Sequence, residues 1–151
     1  MSSEAFYAQI AQSAEKAFPF IERCGIEVLH VARGECHLRM PLEGNKNHIN
    51  IMYAGALFTL AEFPGGVVYL TCFDMTKMYP ILKGLDINFY RPATTDIEVK
   101  ISLSDEEIER INATTLAEGK CDFDWQVELI NPEGKVVAVA DCRYQMRKAG
   151  S

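Results

Sequence analysis

The segment from Met52 to Cys72 is apolar on nearly every helical face, and it constrains the fold more than any other part of the chain. Its alanine and leucine content favours a helix, and a helix that is apolar all round must be buried on all sides. One carboxylate, Glu62, interrupts the apolar run. Pro64 follows it closely and predicts a kink or an interruption of the helix. Such a helix needs a sheet curved around it.

Alternating apolar and polar side chains predict the strands of that sheet. The segments are 26–31, 35–41, 81–90, 96–103, 121–130 and 136–146. Turn residues join the first pair at Arg33-Gly34 and the last pair at Asn131-Pro132-Glu133-Gly134. Alternation this regular indicates antiparallel strands with one covered face. The order of elements therefore predicts an α+β fold, with a curved antiparallel sheet wrapped around a long central helix.

The N-terminal segment, residues 1–20, predicts one amphipathic helix that is docked on the domain. Within it, segment 3–18 places Phe6 and Ile10 at helical spacing, and Pro19 is expected to stop the helix.

A second amphipathic helix is predicted at residues 105–118, as an insertion between two strands. Ser104 and Glu107 have the spacing of a capping box, and Gly119 is a plausible C-terminal stop. Its inner face is expected to consist of Ile108, Ile111 and Thr115. Because the chain contains no repeat or linker, residues 1–151 are expected to form a single domain.

Charge and cysteine content exclude several classes of protein. The formal net charge is -6 and the cations are scattered, which argues against a nucleic-acid partner. The N-terminus lacks a signal-peptide pattern and no apolar run is an obvious membrane span, so no membrane partner is expected. The five dispersed cysteines indicate reduced thiols, several of them in the core, in a cytoplasmic protein. Since no Cys or His residues have ligand spacing, no metal site is expected.

Two segments of the chain resemble the hot-dog fold thioesterases. Their helix-entry motif usually reads His-Gly-Gly, a short apolar run and an Asp or Glu, and it is similar to Tyr53-Ala54-Gly55 followed by an apolar run and Glu62. Residues 85–93 resemble the strand that follows, which often ends in Arg-Pro. The similarity extends over roughly residues 26–146. Tyr and Ala replace the usual His and first Gly, so the resemblance implies a divergent member.

The resemblance implies an acyl-CoA thioesterase. The backbone N–H groups of Ala54 and Gly55 would bind the thioester carbonyl, since the first amides of a helix lack intrahelical partners. Glu62, supplied by the partner subunit, would act as general base or nucleophile, with a pKa raised by partial burial. Asn47 matches an asparagine that is common in the phenylacetate-pathway branch, and it would hydrogen-bond the attacking water or the carbonyl.

Four further residues are candidates for substrate contact: His48, Tyr53, Asn88 and Arg91. Arg91 could bind a CoA phosphate or form an ion pair at the strand end. Tyr53 could fill the space of the missing histidine and hydrogen-bond the neighbouring loop. His48 could equally be a plain loop side chain, and Asn47 a turn residue.

Other functions stay open at this level. A non-catalytic acyl-thioester or fatty-acyl binding protein is favoured by Pro64 and by the missing histidine. A hot-dog dehydratase or hydratase is less favoured, because the central helix has no histidine to act with Glu62. A purely structural role for Glu62 is also open, in which it pairs with an arginine or caps a backbone group. The expected partner is an acyl-CoA or acyl-carrier thioester, with no cofactor besides the coenzyme A of the substrate. Because hot-dog subunits usually pair edge to edge, a homodimer or homotetramer is expected.

Overall fold

The computed structural model of the protein describes residues 1–150, which form four helices and six strands. The helices are α1 (Ser3–Ala14), α2 (Pro19–Cys24), α3 (Ala54–Cys72) and α4 (Asp105–Glu118). The strands are β1 (Glu27–Ala32), β2 (Glu35–Met40), β3 (Met78–Phe89), β4 (Ile97–Ser102), β5 (Lys120–Ile130) and β6 (Val136–Lys148). All six predicted strands are present. The start of β3 lies before residue 81 because Met78 pairs with Lys148, which lengthens β6 as well.

The six strands form one antiparallel sheet in the order β1-β2-β4-β5-β6-β3. Its inner face packs on α3, where Leu60, Val67 and Val68 are fully buried or nearly so. Buried and more exposed residues alternate as predicted on β2, β4 and β5, where the buried ones include Leu38, Met40, Val99 and Val127. On β3 the predicted alternation does not hold at Phe89, which is exposed. A curved sheet wrapped around a long helix is the predicted hot-dog architecture. Four of the five cysteines are buried, and all five are free thiols.

Pro64 does not interrupt α3, which runs without a break from Ala54 to Cys72. A proline inside a helix loses one backbone hydrogen bond, here the one to the Leu60 carbonyl. Pro64 is itself buried in the sheet-wrapped core, so packing along the helix offsets the lost bond. Of the predicted kink or interruption, the interruption is absent, because the tertiary packing outweighs the local penalty.

α3 is also not buried on all sides, contrary to expectation. Phe58 and Gly66 are exposed and Glu62 is half-buried, and their spacing of four residues places them on one stripe of the helix. By length and composition α3 could cross a membrane, but 67% of the relevant window is buried inside this domain, as in the core helix of a soluble fold. The stripe is the part of α3 that a single copy of the chain does not cover.

The N-terminal segment forms two helices where one was predicted. α1 ends at Ala14, and Pro19 begins α2 with Phe18 as the N-cap residue. Proline is favoured at the first position of a helix, because the N–H that it lacks has no partner there. Pro19 therefore starts a second helix as well as excluding a continuous one.

The inserted helix has the predicted bounds. The Ser104 hydroxyl accepts a hydrogen bond from the Glu107 backbone N–H at 3.1 Å, and Gly119 ends α4 in a left-handed conformation with φ of 86°. The predicted inner face is buried at Ile108, Ile111 and Thr115.

The two edges of the sheet differ in how they are protected. At β1, α1 packs alongside, and the Glu15 carboxylate accepts a hydrogen bond from the Val28 N–H at 2.8 Å. At β3, no other strand of residues 1–150 pairs with the outer side, and Tyr79 and Phe89 are exposed. A long open edge of this kind is a template for another strand.

Candidate active site

The start of α3 carries two backbone donors that have no partner among residues 1–150. The Ala56 and Leu57 N–H groups donate to the Tyr53 carbonyl at 2.9 and 3.1 Å, whereas those of Ala54 and Gly55 make no hydrogen bond. Tyr53 is the N-cap residue but provides no side-chain cap. The helix dipole adds positive potential at the same place. The predicted oxyanion donors are therefore free to bind an acceptor from outside this chain.

The loop before α3 is held by Asn47. Its backbone N–H donates to the Ile51 carbonyl at 2.8 Å, and its side-chain oxygen accepts from the Ile49 and Ile51 N–H groups at 2.9 and 3.3 Å. The turn role is thus present, while the side-chain NH₂ makes no hydrogen bond within residues 1–150. That NH₂ remains able to donate to a ligand. His48 lies exposed in the same loop.

Two clefts flank the start of α3. We call the first the β3-side cleft: it has a volume of about 370 Å³ and lies between Asn47, Ala54, Leu57 and residues 89–93. The second, the α2-side cleft, has a volume of about 700 Å³ and is lined by α2, the loop 44–47 and the first turn of α3. Asn47 lines both clefts, and each cleft contains one of the two candidate donors, Ala54 in the first and Gly55 in the second.

Tyr53 lies over the first turn of α3. A Cβ atom on Gly55 would be 2.4 Å from its ring, so a larger residue there would force the Tyr53 ring to shift. Tyr53 also hydrogen-bonds the neighbouring loop, but through its backbone N–H, which donates to the Asn45 carbonyl at 2.8 Å. Its side chain lines the α2-side cleft and is 59% exposed.

The remaining substrate candidates, Arg91 and Asn88, differ in placement. Arg91 lines the β3-side cleft, and its guanidinium donates to the Val136 carbonyl at 2.7 Å. The ion pair considered for Arg91 is not formed within residues 1–150. Asn88 is exposed on β3 opposite Val139 and lines neither cleft.

Glu62 is a half-buried carboxylate without a partner. Within residues 1–150 its side chain forms neither an ion pair nor a hydrogen bond, so the structural roles considered for it are not observed. Burial raises the pKa of Glu62 above its usual value, as expected. An unpaired carboxylate held away from water costs stability, and groups of this kind are concentrated at functional sites.

Two side chains from β6 hold the backbone of α3 at Glu62. The Tyr144 hydroxyl donates to the Glu62 carbonyl at 3.3 Å, and the Cys142 thiol donates to the Ala61 carbonyl at 4.0 Å. Burial raises the pKa of Cys142 to about 11, so it remains a neutral thiol. The sequence analysis did not identify either residue, because the contacts join positions that are about 80 residues apart.

Gly65 makes this arrangement possible, since a Cβ there would lie 2.4 Å from the Tyr144 hydroxyl oxygen. Both residues are buried. We expect Gly65→Ala to lower the free energy of unfolding by about 1–3 kcal/mol through overpacking, measured by urea denaturation. Tyr144→Phe removes the closest atom, so the two substitutions should be non-additive in a double-mutant cycle. Additive effects would contradict the contact.

The free donors and the carboxylate cannot meet within one chain. Ala54 and Glu62 are eight residues apart on α3, which corresponds to about 12 Å along the helix axis. A thioester bound at the donors would thus be out of reach of the Glu62 of the same chain. Residues 1–150 also contain no group of three or more Cys, His, Asp or Glu residues that could hold a metal ion.

Comparisons with known proteins agree with this fold. A family model described as a domain of unknown function, DUF4442, matches residues 7–146. A Pseudomonas aeruginosa structure described as a protein of unknown function and probable thioesterase is 40% identical, with a TM-score of 0.90 over 93% of this chain and 95% of that one. A Shewanella oneidensis structure, provisionally described as a thioesterase, is 26% identical, with a TM-score of 0.75 over 94% and 97%.

A Haemophilus influenzae thioesterase shares the fold at 15% identity, with a TM-score of 0.71 over 100% of this chain and 94% of that one. No curated protein matches the sequence.

Proposed function

The chain belongs to the DUF4442 family, and on that basis and the site geometry we propose that it is an acyl-CoA thioesterase whose active site is built from two copies. The observation that carries the proposal is Glu62, an unpaired half-buried carboxylate with a raised pKa. It lies on the uncovered stripe of the helix whose first amides are free. The description of the Pseudomonas and Shewanella structures as thioesterases supports this chemistry.

In the proposed reaction, the thioester carbonyl oxygen accepts hydrogen bonds from the Ala54 and Gly55 N–H groups of one copy. The ionised Glu62 of the second copy either takes a proton from a water that attacks the carbonyl carbon or attacks that carbon itself. Negative charge then develops on the carbonyl oxygen, where each lost donor typically costs about 10²–10³-fold in rate. The C–S bond breaks, the thiolate takes up a proton, and after hydrolysis the acid is released.

Asn47 is suited to assist this step, because only the oxygen of its side chain is used by the loop. Its NH₂ group donates to the carbonyl or to the incoming nucleophile. A matching asparagine is the reason to place the chain near the phenylacetate-pathway branch. His48, exposed in the same loop, and Asn88, on the open β3 edge, are proposed only as peripheral contacts.

The β3-side cleft is proposed to receive the acyl group. Its wall is largely apolar and contains Met52, Leu57, Phe89 and Pro92, beside Ala54. An apolar wall next to a polar reaction centre is the usual division of labour in a small-molecule site.

The second copy is proposed to pair through the open edge of β3 and to cover the stripe of α3. Both features are incomplete in one chain: an edge with no paired strand and a helix face with exposed Phe58. Pairing there buries apolar area and brings two copies of α3 together.

The test is a thiol-release assay with aliphatic and aromatic acyl-CoAs of varied length. We expect free coenzyme A from at least one series, at rates well above those of the uncatalysed reaction. Absence of release from every substrate by correctly folded protein would overturn the proposal. A thermal shift with acyl-CoA but without release would identify a binding protein instead.

A further inference from the structure

We propose that the α2-side cleft binds the nucleotide end of coenzyme A, so that CoA and not a carrier protein delivers the acyl group. The inference rests on the proposed function and names its leaving group. The cleft combines two aromatic rings and two cations, and its lining includes Gly55, one of the two free donors of α3.

Two aromatic rings stand at the walls of the α2-side cleft. Phe20 is 50% exposed and Tyr53 is 59% exposed, although both border a cleft and could have been buried. Exposed rings of this kind bind a purine base by stacking, without regard to its hydrogen-bond pattern. The adenine of coenzyme A supplies such a base.

Two cations accompany the rings. Arg23 is exposed and forms no ion pair or hydrogen bond within residues 1–150. The Lys46 ammonium forms an ion pair with Glu43 at 3.3 Å, and that carboxylate is 90% exposed. An exposed pair of this kind is weak and yields to a stronger anion. An arginine and a lysine that line one cleft suit the phosphates of coenzyme A, in a chain whose net charge is -6.

The cleft is pre-formed by one asparagine. The Asn45 side-chain NH₂ donates to the Cys24 and Pro41 carbonyls, each at 2.8 Å, and the Asn45 backbone carbonyl accepts from the Tyr53 N–H at 2.8 Å. These bonds tie together the end of α2, the loop and the start of α3. The backbone segments that carry Arg23, Lys46 and the two rings are therefore fixed around the cleft before any ligand arrives.

The position of the cleft also fits one continuous substrate. It is lined by Asn47 and by Gly55, one of the two oxyanion donors, so the arm of coenzyme A that carries the thioester can extend from this cleft to the reaction centre. Its volume of about 700 Å³ lies within the usual range of ligand sites. In the β3-side cleft the corresponding cation, Arg91, already donates to a backbone carbonyl. The phosphates are therefore assigned to the α2-side cleft and the acyl chain to the other.

The experiment compares two thioesters of the same acyl group, one on coenzyme A and one on N-acetylcysteamine, which lacks the nucleotide. For the double variant Arg23→Glu/Lys46→Glu, we expect the preference in kcat/KM for the CoA ester to fall about tenfold or more. Lys135→Glu reverses an exposed charge on the β5–β6 turn, away from the cleft, and should leave the preference unchanged. An unaltered preference in the double variant would overturn the inference.

Equilibrium binding of free coenzyme A separates this inference from the proposed function. Calorimetry should show binding to the wild-type protein that weakens with salt and is reduced about tenfold or more in the double variant. If CoA binding weakens in this way but the protein hydrolyses no thioester, the proposed thioesterase activity is wrong and the proposed nucleotide site stands. Hydrolysis together with CoA binding that is unchanged in the double variant would keep the thioesterase and overturn the nucleotide site.

Discussion

Glu62→Gln is expected to lower kcat for thioester hydrolysis by about 10²–10⁴-fold, because glutamine can neither accept the proton of water nor attack the carbonyl. The substitution preserves size and shape, so substrate binding should change little. Both kcat and KM are measured by steady-state kinetics on the acyl-CoA that is hydrolysed fastest in the thiol-release assay. For the wild-type protein, kcat/KM should fall as the pH drops through the raised pKa of Glu62, since only the ionised carboxylate acts.

The same substitution should raise stability at neutral pH. Burial raises the pKa of Glu62, so the folded state holds the proton more tightly than the unfolded state does. The stabilising contribution of this protonation is present below the unfolded pKa and is lost as the pH rises through the folded pKa. Glutamine has no charge to bury, so the Tm of the Glu62→Gln variant should exceed that of the wild type at pH 7. The difference in Tm should be smaller at acidic pH.

The control is Glu109→Gln, which removes an exposed carboxylate from α4. It should change neither kcat nor the pH dependence of Tm beyond the small effect of one surface charge. If Glu62→Gln instead lowered Tm at neutral pH, as the loss of a buried ion pair does, Glu62 would be structural and the proposed chemistry would be wrong.

Much of the fold follows from short-range sequence signals. The bounds of α4 were predictable because Ser104 and Gly119 cap it locally, and the strands because their alternation is regular. The bounds of α1 and α2 were not, since Pro19 excludes a continuous helix and also favours a new one. The uncovered stripe of α3 was missed because hydropathy records that a residue is apolar and not whether the rest of the chain covers it.

Some residues of the candidate site were likewise predictable from the sequence, and others were not. Ala54, Gly55 and Glu62 lie on one helix, so their spacing is readable from the chain. The contact of Tyr144 with Glu62 joins residues from α3 and the last strand, and only a glycine after Pro64 hinted that something approaches closely there. The role of Arg23 could not be predicted from the sequence, because it depends on a cleft that forms only when α2 and the loop pack together.

Ala54→Pro is expected to lower kcat by about 10²–10³-fold, because it removes one oxyanion donor while keeping the helix. Proline suits this position: Ala54 is the first residue of α3, its side chain is exposed and its N–H has no partner within residues 1–150. Tyr53 has φ of -59° and ψ of 138°, which is the conformation required before a proline. Circular dichroism and Tm should therefore match the wild type, and Ala54→Gly, which keeps the N–H, should retain activity.

Mixing the two inactive variants shows whether the site spans two copies. In a mixed dimer, the Glu62→Gln copy still offers the Ala54 N–H and the Ala54→Pro copy still offers Glu62, so one of the two sites is intact. Random pairing should then restore about a quarter of the wild-type rate, since half of the dimers are mixed and each has one working site. In one chain, about 12 Å of helix separates the Ala54 N–H from Glu62. A site contained within a monomer would therefore not recover activity on mixing. Activity that stays at the level of the separate variants after subunit exchange would rule out a shared site.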